Sequence, residues 1–296
     1  MEKLYGGIEA GGTKFNCIVA ANPDEIVVEE TIPTTSPAET INRVLDVFRP
    51  HQGSLAAIGV GSFGPLDLNP ASKTYGYITT TPKPGWQFTD LCGHIRTALG
   101  APIAFDTDVN AAAVGERVWI QQNNVLDPFI YITVGTGIGV GVIVNGKPIH
   151  GLVHPEAGHM SLPHDLQEDP FAGNCPYHRD CWEGLASGPA MAKRWGMLAE
   201  ELPDDHPAWA LEANYIAHAI ANLVYAFSPQ RIVLGGGVGK RTGLLELVQQ
   251  RCLAVLNNYI RSEIILEHIE DYIVAPGLGS RSGSLGAIAM AQNLGG

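Results

Sequence analysis

"GGIEAGGTK", residues 6–14, lies between two apolar runs, LYGGI at 4–8 and FNCIVA at 15–20, and its reading decides the fold. Gly7 and Gly12 have the spacing of a G-x-x-x-x-G phosphate loop, but Thr13-Lys14 follows where Lys-Ser/Thr is required. In a P-loop or a dinucleotide-binding unit the glycines open a helix. FNCIVA is rich in β-formers and too short for a helix, and EIVVEETI (25–32) continues as another strand. The stretch therefore reads as strand, glycine turn, strand, strand, and the P-loop reading fails.

The same design returns in FIYITVGTGIGVGVIVNGKPI (129–149), an apolar strand, a Gly-Thr-Gly loop, a second strand and an Asn145-Gly146 hairpin signal. Two such units suggest two similar half-molecules. Helical spacing is found at 37–49, 90–99, 109–120, 188–200, 207–227, 241–260 and 283–293. Strand-like runs at 55–64, 102–108, 231–238 and 272–279 alternate with them, which argues for α/β architecture. Glycine-rich turns end four strands, at 11–12, 135–141, 235–237 and 277–279. Main-chain N–H groups at such turns can cradle anions, although many strand-end glycines only supply a positive φ.

With 296 residues, 45% hydrophobic and 16% charged, the chain suits one large or two ordinary domains. A net charge of −12 argues against a nucleic-acid partner. No signal-peptide pattern opens the chain, and no run approaches a membrane span, so a cytoplasmic location is expected. Five cysteines, an odd number, do not suggest a disulfide framework.

Two local features point to chemistry. Asp108 ends the strand PIAFDTD and opens the helix VNAAAVGE, with Asp106 and Asn110 beside it. A carboxylate there either caps the helix or takes a proton from a substrate hydroxyl. Cys175, His178 and Cys181 place three soft or borderline ligands within seven residues, a spacing that suits tetrahedral Zn²⁺ with a fourth ligand from elsewhere. The alternative is a pair of buried thiols beside an incidental histidine.

Taken together, "GGIEAGGTKF", "GSFGPLD", "TDVNAAAVGE", "TVGTGIGVGVI", "HPEAGH", "CPYHRDCWEGLASGPA" and "IVLGGGV" resemble a bacterial sugar kinase of the ROK family, in its fructokinase branch. The resemblance runs through nearly the whole chain in order. It implies the actin-like ATPase (ribonuclease H-like) fold, two α/β domains with ATP and sugar in the cleft between them. The expected domains are 1–118, with the first phosphate hairpin and Asp108, and 119–296, with the second hairpin, the zinc loop and the adenosine site. The last helix, about 283–294, would pack back on the first domain.

By resemblance Asp108 is the general base, and Asn110, Glu156, His159 and Glu183 bind the sugar. Gly11, Gly12, Thr13, Lys14, Thr136 and Gly137 would hold ATP phosphates; Pro189, Gly235, Gly236, Gly237, Val238 and Gly239 would lie near the nucleotide. Glu9 stands where most of the family has the Asp that helps organise Mg²⁺, and Thr107 where it usually has a sugar-contacting Asn. One structural Zn²⁺ per chain is implied at His159, Cys175, His178 and Cys181, with His154, His164 and Asp180 as alternatives to His159. The implied reaction is D-fructose plus ATP to fructose 6-phosphate plus ADP, with mannose or glucose as other acceptors and a homodimer as the expected assembly. Sugar-responsive regulators of the family carry an N-terminal DNA-binding extension, for which a hairpin beginning at residue 6 leaves no room. A zinc hydrolase would leave the glycine turns without a role.

Overall fold

A computed structural model describes residues 3–120 and 126–294. Packing divides the chain into two units: Met1–Val125 with Lys147–Pro155 and Gly277–Gly296, and Leu126–Gly146 with Glu156–Pro276. The sequence expectation had one cut near residue 118, whereas these units interleave.

The opening stretch forms a hairpin, β1 (Leu4–Ala10) and β2 (Lys14–Ala20), continued by β3 (Ile26–Pro33). Helix α1 (Pro37–Phe48) follows, begun by a Ser36 cap and a proline in its first turn. Then come β4 (Leu55–Ser62), a two-residue pair β5 (Tyr77–Ile78) and β6 (Thr89–Asp90), α2 (Leu91–Leu99), β7 (Ile103–Thr107) and α3 (Asp108–Gly115). The sheet order is β3-β2-β1-β4-β7, antiparallel through the hairpin and parallel from β1 to β4 to β7.

Period-2 alternation buries both faces of this sheet. Phe15, Cys17 and Val19 of β2 join a core with Val44 and Phe48 of α1 and Ile95 of α2. Ile18 and Ala20 point the other way, into a cluster with Leu285 and Ile288 near the end of the chain.

The second unit repeats the plan. It contains β8 (Phe129–Val134) and β9 (Ile138–Val144); the short β10 (Lys147–Pro148) comes next in the chain. Helices α4 (Trp182–Ala186), α5 (Gly188–Trp195) and α6 (Ala208–Phe227) precede β11 (Arg231–Gly235), α7 (Gly236–Gly239) and α8 (Leu244–Leu256). Short α9 (Glu263–Leu266) and α10 (Ile269–Tyr272) lead to β12 (Ile273–Val274). The order β10-β9-β8-β11-β12 matches that of the first sheet strand for strand, the duplication that the two Gly-turn hairpins announced. Helices α6 and α8 pack on each other, and Ile216, Ile220, Val248 and Cys252 are among the residues they bury.

The chain closes with α11 (Ser282–Leu294), which returns to the first unit against α3, β1 and β4. Its small residues permit backbone-close packing. A Cβ on Gly59 would fall 1.8 Å from the Ala287 carbonyl oxygen, and one on Gly286 would fall 1.7 Å from that of Ala111. Among the described residues no helix is long and apolar enough to cross a membrane.

Several helices end sooner than their periodicity predicts. Gly196, at φ 68°, stops α5 at Trp195, and Asn257, also left-handed, stops α8 at Leu256. The expected helix at 109–120 is α3 followed by a π turn, Glu116–Ile120. Tyr272 is helical, so the last predicted strand contracts to two residues.

Candidate functional site

Three parallel strands of the first unit, β1, β4 and β7, carry their C-terminal ends side by side, the edge of an open α/β sheet where ligands bind. After β1 the Gly11 N–H donates to the Lys14 carbonyl, while Thr34 binds the carbonyls of Gly11 and Thr13. Gly12 faces open space, where a Cβ would meet nothing within 4 Å, so packing does not require glycine there. After β4 the turn Phe63–Leu66 begins with the Phe63 N–H on the Ala10 carbonyl. Glu9, on β1, accepts a 2.8 Å bond from Asn16 on β2 and packs against Gly283 of α11.

After β7 comes Asp108. Its expected capping role belongs instead to Thr107, whose hydroxyl accepts from the Asn110 N–H at 3.1 Å. Asp108 is the first helical residue, and its Oδ1 accepts from the Val109 N–H at 2.8 Å. The cap is therefore one residue earlier than the sequence suggested, and Asp108 remains partly exposed at the strand end. Asn110 lies in the first turn of the same helix. It is buried and its amide donates to Asp106 Oδ1 at 2.7 Å, so it supports the carboxylate two residues before Asp108.

Buried Asp106 also accepts from the Thr107 N–H at 2.7 Å and pairs with His150 Nε2 at 2.9 Å. That hydrogen bond to Asp106 raises the His150 pKa. Four residues on, His154 is buried and accepts the Leu66 N–H at its Nε2, 3.1 Å away. Sequence reasoning weighed His154 only as a zinc ligand and did not single out His150. The signal available to it was two histidines flanking Gly151-Leu152-Val153, just ahead of Glu156.

In the second unit the Gly135-Thr136-Gly137 turn is closed by a bond from the Gly135 N–H to the Gly137 carbonyl, and the Gly188 N–H binds the Gly135 carbonyl. Ser187 caps α5, with Pro189 in its first turn. Thr136, Ser187 and Pro189 line a concavity of about 110 Å³ with Asn174, Cys175, Pro176 and Glu183. Glu183 Oε2 accepts the Ile138 N–H at 2.9 Å, and a Cβ on Gly137 would come 2.8 Å from that oxygen. Glu183 is thus tied directly to the glycine turn. Glu156 is exposed by surface area but crowded enough that desolvation raises its carboxyl pKa, opposed by His159 and reinforced by Glu183.

Not all the glycine turns are alike. Gly236, at φ 89°, would drive a Cβ to 2.3 Å from the Val134 carbonyl oxygen, so the fold itself demands it, whereas Gly237 faces open space. Val238 is buried, and Gly239 makes only ordinary contact with Leu234. The turn at 277–279 is already occupied. The Gly277 and Leu278 N–H groups donate to buried Glu116 at 2.9 and 3.0 Å, and the Ser282 hydroxyl adds a third bond at 2.7 Å. A side-chain carboxylate takes the place an anionic ligand would occupy.

His159, Cys175, His178 and Cys181 converge, with ligand atoms all within 4.8 Å of one another. His159 Nδ1 lies 3.5 Å from Cys181 Sγ and 3.7 Å from Cys175 Sγ, and His178 Nδ1 lies 3.7 Å from Cys175 Sγ. Zinc at about 2.3 Å from sulfur and about 2.0–2.1 Å from nitrogen would set tetrahedral S–N edges of about 3.6 Å. The donor set fits the ion. Burial pushes the Cys181 thiol up to about 11, so its thiolate requires a cation. The alternative ligands are engaged elsewhere: His154 on Leu66, and His164 between Asp169 and Asp180. A second tie anchors the same loop at Asp169, which accepts from Arg194 Nε at 3.2 Å and Tyr215 at 2.6 Å.

The ROK family's sequence profile matches residues 5–294. A fructokinase of Pediococcus pentosaceus is 45% identical over 98% of this chain and 98% of its own, and one of Lactococcus lactis subsp. cremoris is 42% identical over 99% of each. The crystal structure of a ROK hexokinase from Thermus thermophilus superposes with a TM-score of 0.77 at 26% identity, covering 98% of both chains. Duplicated sheet, strand-end carboxylate and full-length likeness agree, and the chain belongs to the ROK family.

Proposed function

We propose that the protein transfers the γ-phosphoryl group of ATP to the C6 hydroxyl of a hexose, with D-fructose as the preferred acceptor. The observation that carries this reading is Asp108, placed at the C-terminal end of β7 with its capping role taken by Thr107. A carboxylate there serves as general base: it takes the hydroxyl proton, O6 attacks the γ-phosphorus, the bond to the bridging oxygen breaks, and ADP leaves. The turns at Gly11–Lys14 and at Thr136-Gly137 supply backbone N–H groups and side chains for the phosphates, and the open side of Gly237 allows the nucleotide to approach. Fructose as acceptor rests on the fructokinases at 42–45% identity.

The sugar side falls to Glu156, Glu183 and His159. Glu183 uses Oε2 on Ile138 and retains Oε1 for a hydroxyl, and His159 turns Nδ1 to the sulfur cluster and retains Nε2. Glu9, held by the Asn16 amide, would stand near the phosphates, where Mg²⁺ carried in with ATP would supply charge neutralisation. Zinc held by His159, Cys175, His178 and Cys181 would be structural, because four protein donors would leave no position for a reactive water.

A coupled ADP-release screen over fructose, mannose and glucose tests the proposal. Sugar-dependent ADP formation, fastest with fructose, is expected. ATP turnover indifferent to every hexose, or none at all, overturns it.

A further inference from the structure

The segment Lys147–Pro155 crosses the strand ends of the first unit and is tied down by its two histidines. His150 reaches Asp106 at the end of β7, and His154 reaches the turn after β4. That turn stands between the glycine turn after β1 and Asp108 after β7, because Ser62 of β4 is in register with Ala10 on one side and Thr107 on the other. If the chain is the hexose kinase proposed above, residues 63–66 border the place where the acceptor hydroxyl meets its base.

Two backbone groups define the state of the His154 ring. The Leu66 N–H can only donate, so Nε2 must carry a lone pair. The ring also bonds to the backbone of Pro155, which has no N–H, so its carbonyl accepts and Nδ1 carries the proton. The imidazole is neutral in one tautomer. The ring further packs on Gly64, where a Cβ would lie 3.3 Å from Cε1.

We infer that His154 is a positioning residue for the sugar side of the site: as a neutral imidazole it holds the turn 63–66 beside Asp108, and protonation releases that turn. Burial lowers its pKa, with the Pro155 backbone and Asp106 opposing the shift and His150 reinforcing it. At neutral pH the tie is intact. As pH falls the Nε2 acceptor is lost and the Leu66 N–H is left without it.

The test is steady-state kinetics of the full chain at saturating and varied fructose and ATP, from about pH 7.5 to about pH 5.5, for wild type, His154→Ala and His154→Gln. His154→Ala is expected to raise the fructose KM roughly tenfold at neutral pH, the worth of one buried hydrogen bond, while the ATP KM stays within about twofold. In wild type the fructose KM climbs as pH falls. His154→Gln keeps an acceptor that cannot be protonated and flattens that climb, although Glu156 is unchanged. Equal rises in both KM values for His154→Ala, or the same acid dependence in wild type and His154→Gln, overturn the positioning role alone. Wild-type protein that phosphorylates no hexose overturns the kinase reading, and the positioning role falls with it.

Discussion

Replacing Asp108 by Asn separates chemistry from architecture, because the two depend on different atoms at the head of α3. The helix cap is the Thr107 hydroxyl, which the substitution leaves alone. The Val109 N–H that Asp108 Oδ1 accepts can be accepted equally by an amide oxygen. At the helix N-terminus the fold loses one negative charge of the first turn, about 0.3–1 kcal/mol of favourable interaction. What turnover loses is the base, about 10²–10⁴ in kcat, or about 2.7–5.4 kcal/mol of barrier. Activity should thus fall by two to four decades while the melting temperature moves by only about 4 °C or less. ATP affinity, measured by titration calorimetry, should hardly change. Retention of more than about a tenth of wild-type turnover would refute the base assignment. A collapse in melting temperature would show that Asp108 is an architectural residue after all.

Cys181→Ser should lower bound zinc to a minor fraction by elemental analysis and raise the fructose KM more than the ATP KM; full activity with no metal would sink the structural site. The loss should stay local, because Asp169 anchors the same loop through Arg194 and Tyr215 without any ion. Glu116→Ala strands three donors, the Gly277 and Leu278 N–H groups and the Ser282 hydroxyl, and should cost at least about 3 kcal/mol of unfolding free energy by denaturant titration; an unchanged midpoint refutes the bridge. His150 has a pKa raised in the fold by Asp106, so its pairing stabilises fully below the unfolded value and fades as pH rises through the folded one. Wild type should therefore out-melt His150→Asn at about pH 6 by a margin that shrinks at about pH 8 and in high salt, since the side chain is 43% exposed; a margin independent of pH contradicts the ion pair.

Local patterns carried much of the architecture into view. A β-rich run too short for a helix after GGIEAGGTK excluded the P-loop, and its recurrence at 129–149 announced the two sheets of equal order. The Cys-x2-His-x2-Cys spacing was legible because three donors in seven residues have few other uses. Glycines were ambiguous, since one residue type serves opposite needs: Gly59 makes room for a helix backbone, whereas Gly12 and Gly237 make room for nothing in the fold. The turn at 277–279 looked like a phosphate cradle because its carboxylate occupant comes from 161 residues away. His154 was illegible as a support for the same reason, its partner lying 88 residues back in the chain.

Helix α11 rests on β1 and β4, and this long return has a consequence for biosynthesis. Residues 4–62 leave the ribosome long before Ser282–Leu294 exist. At about 5–20 residues per second the interval is roughly ten to forty seconds. Throughout it Tyr5, Ile18 and Ala57 have no Leu285 or Ile288 to cover them. Neighbouring strands can already pair, and α1 and α2 can already close one face of the sheet. The opposite face is completed only by the last helix to be made, so the nascent first unit exposes a sticky, glycine-floored surface that invites chaperone capture and makes late truncations far more damaging than their length suggests.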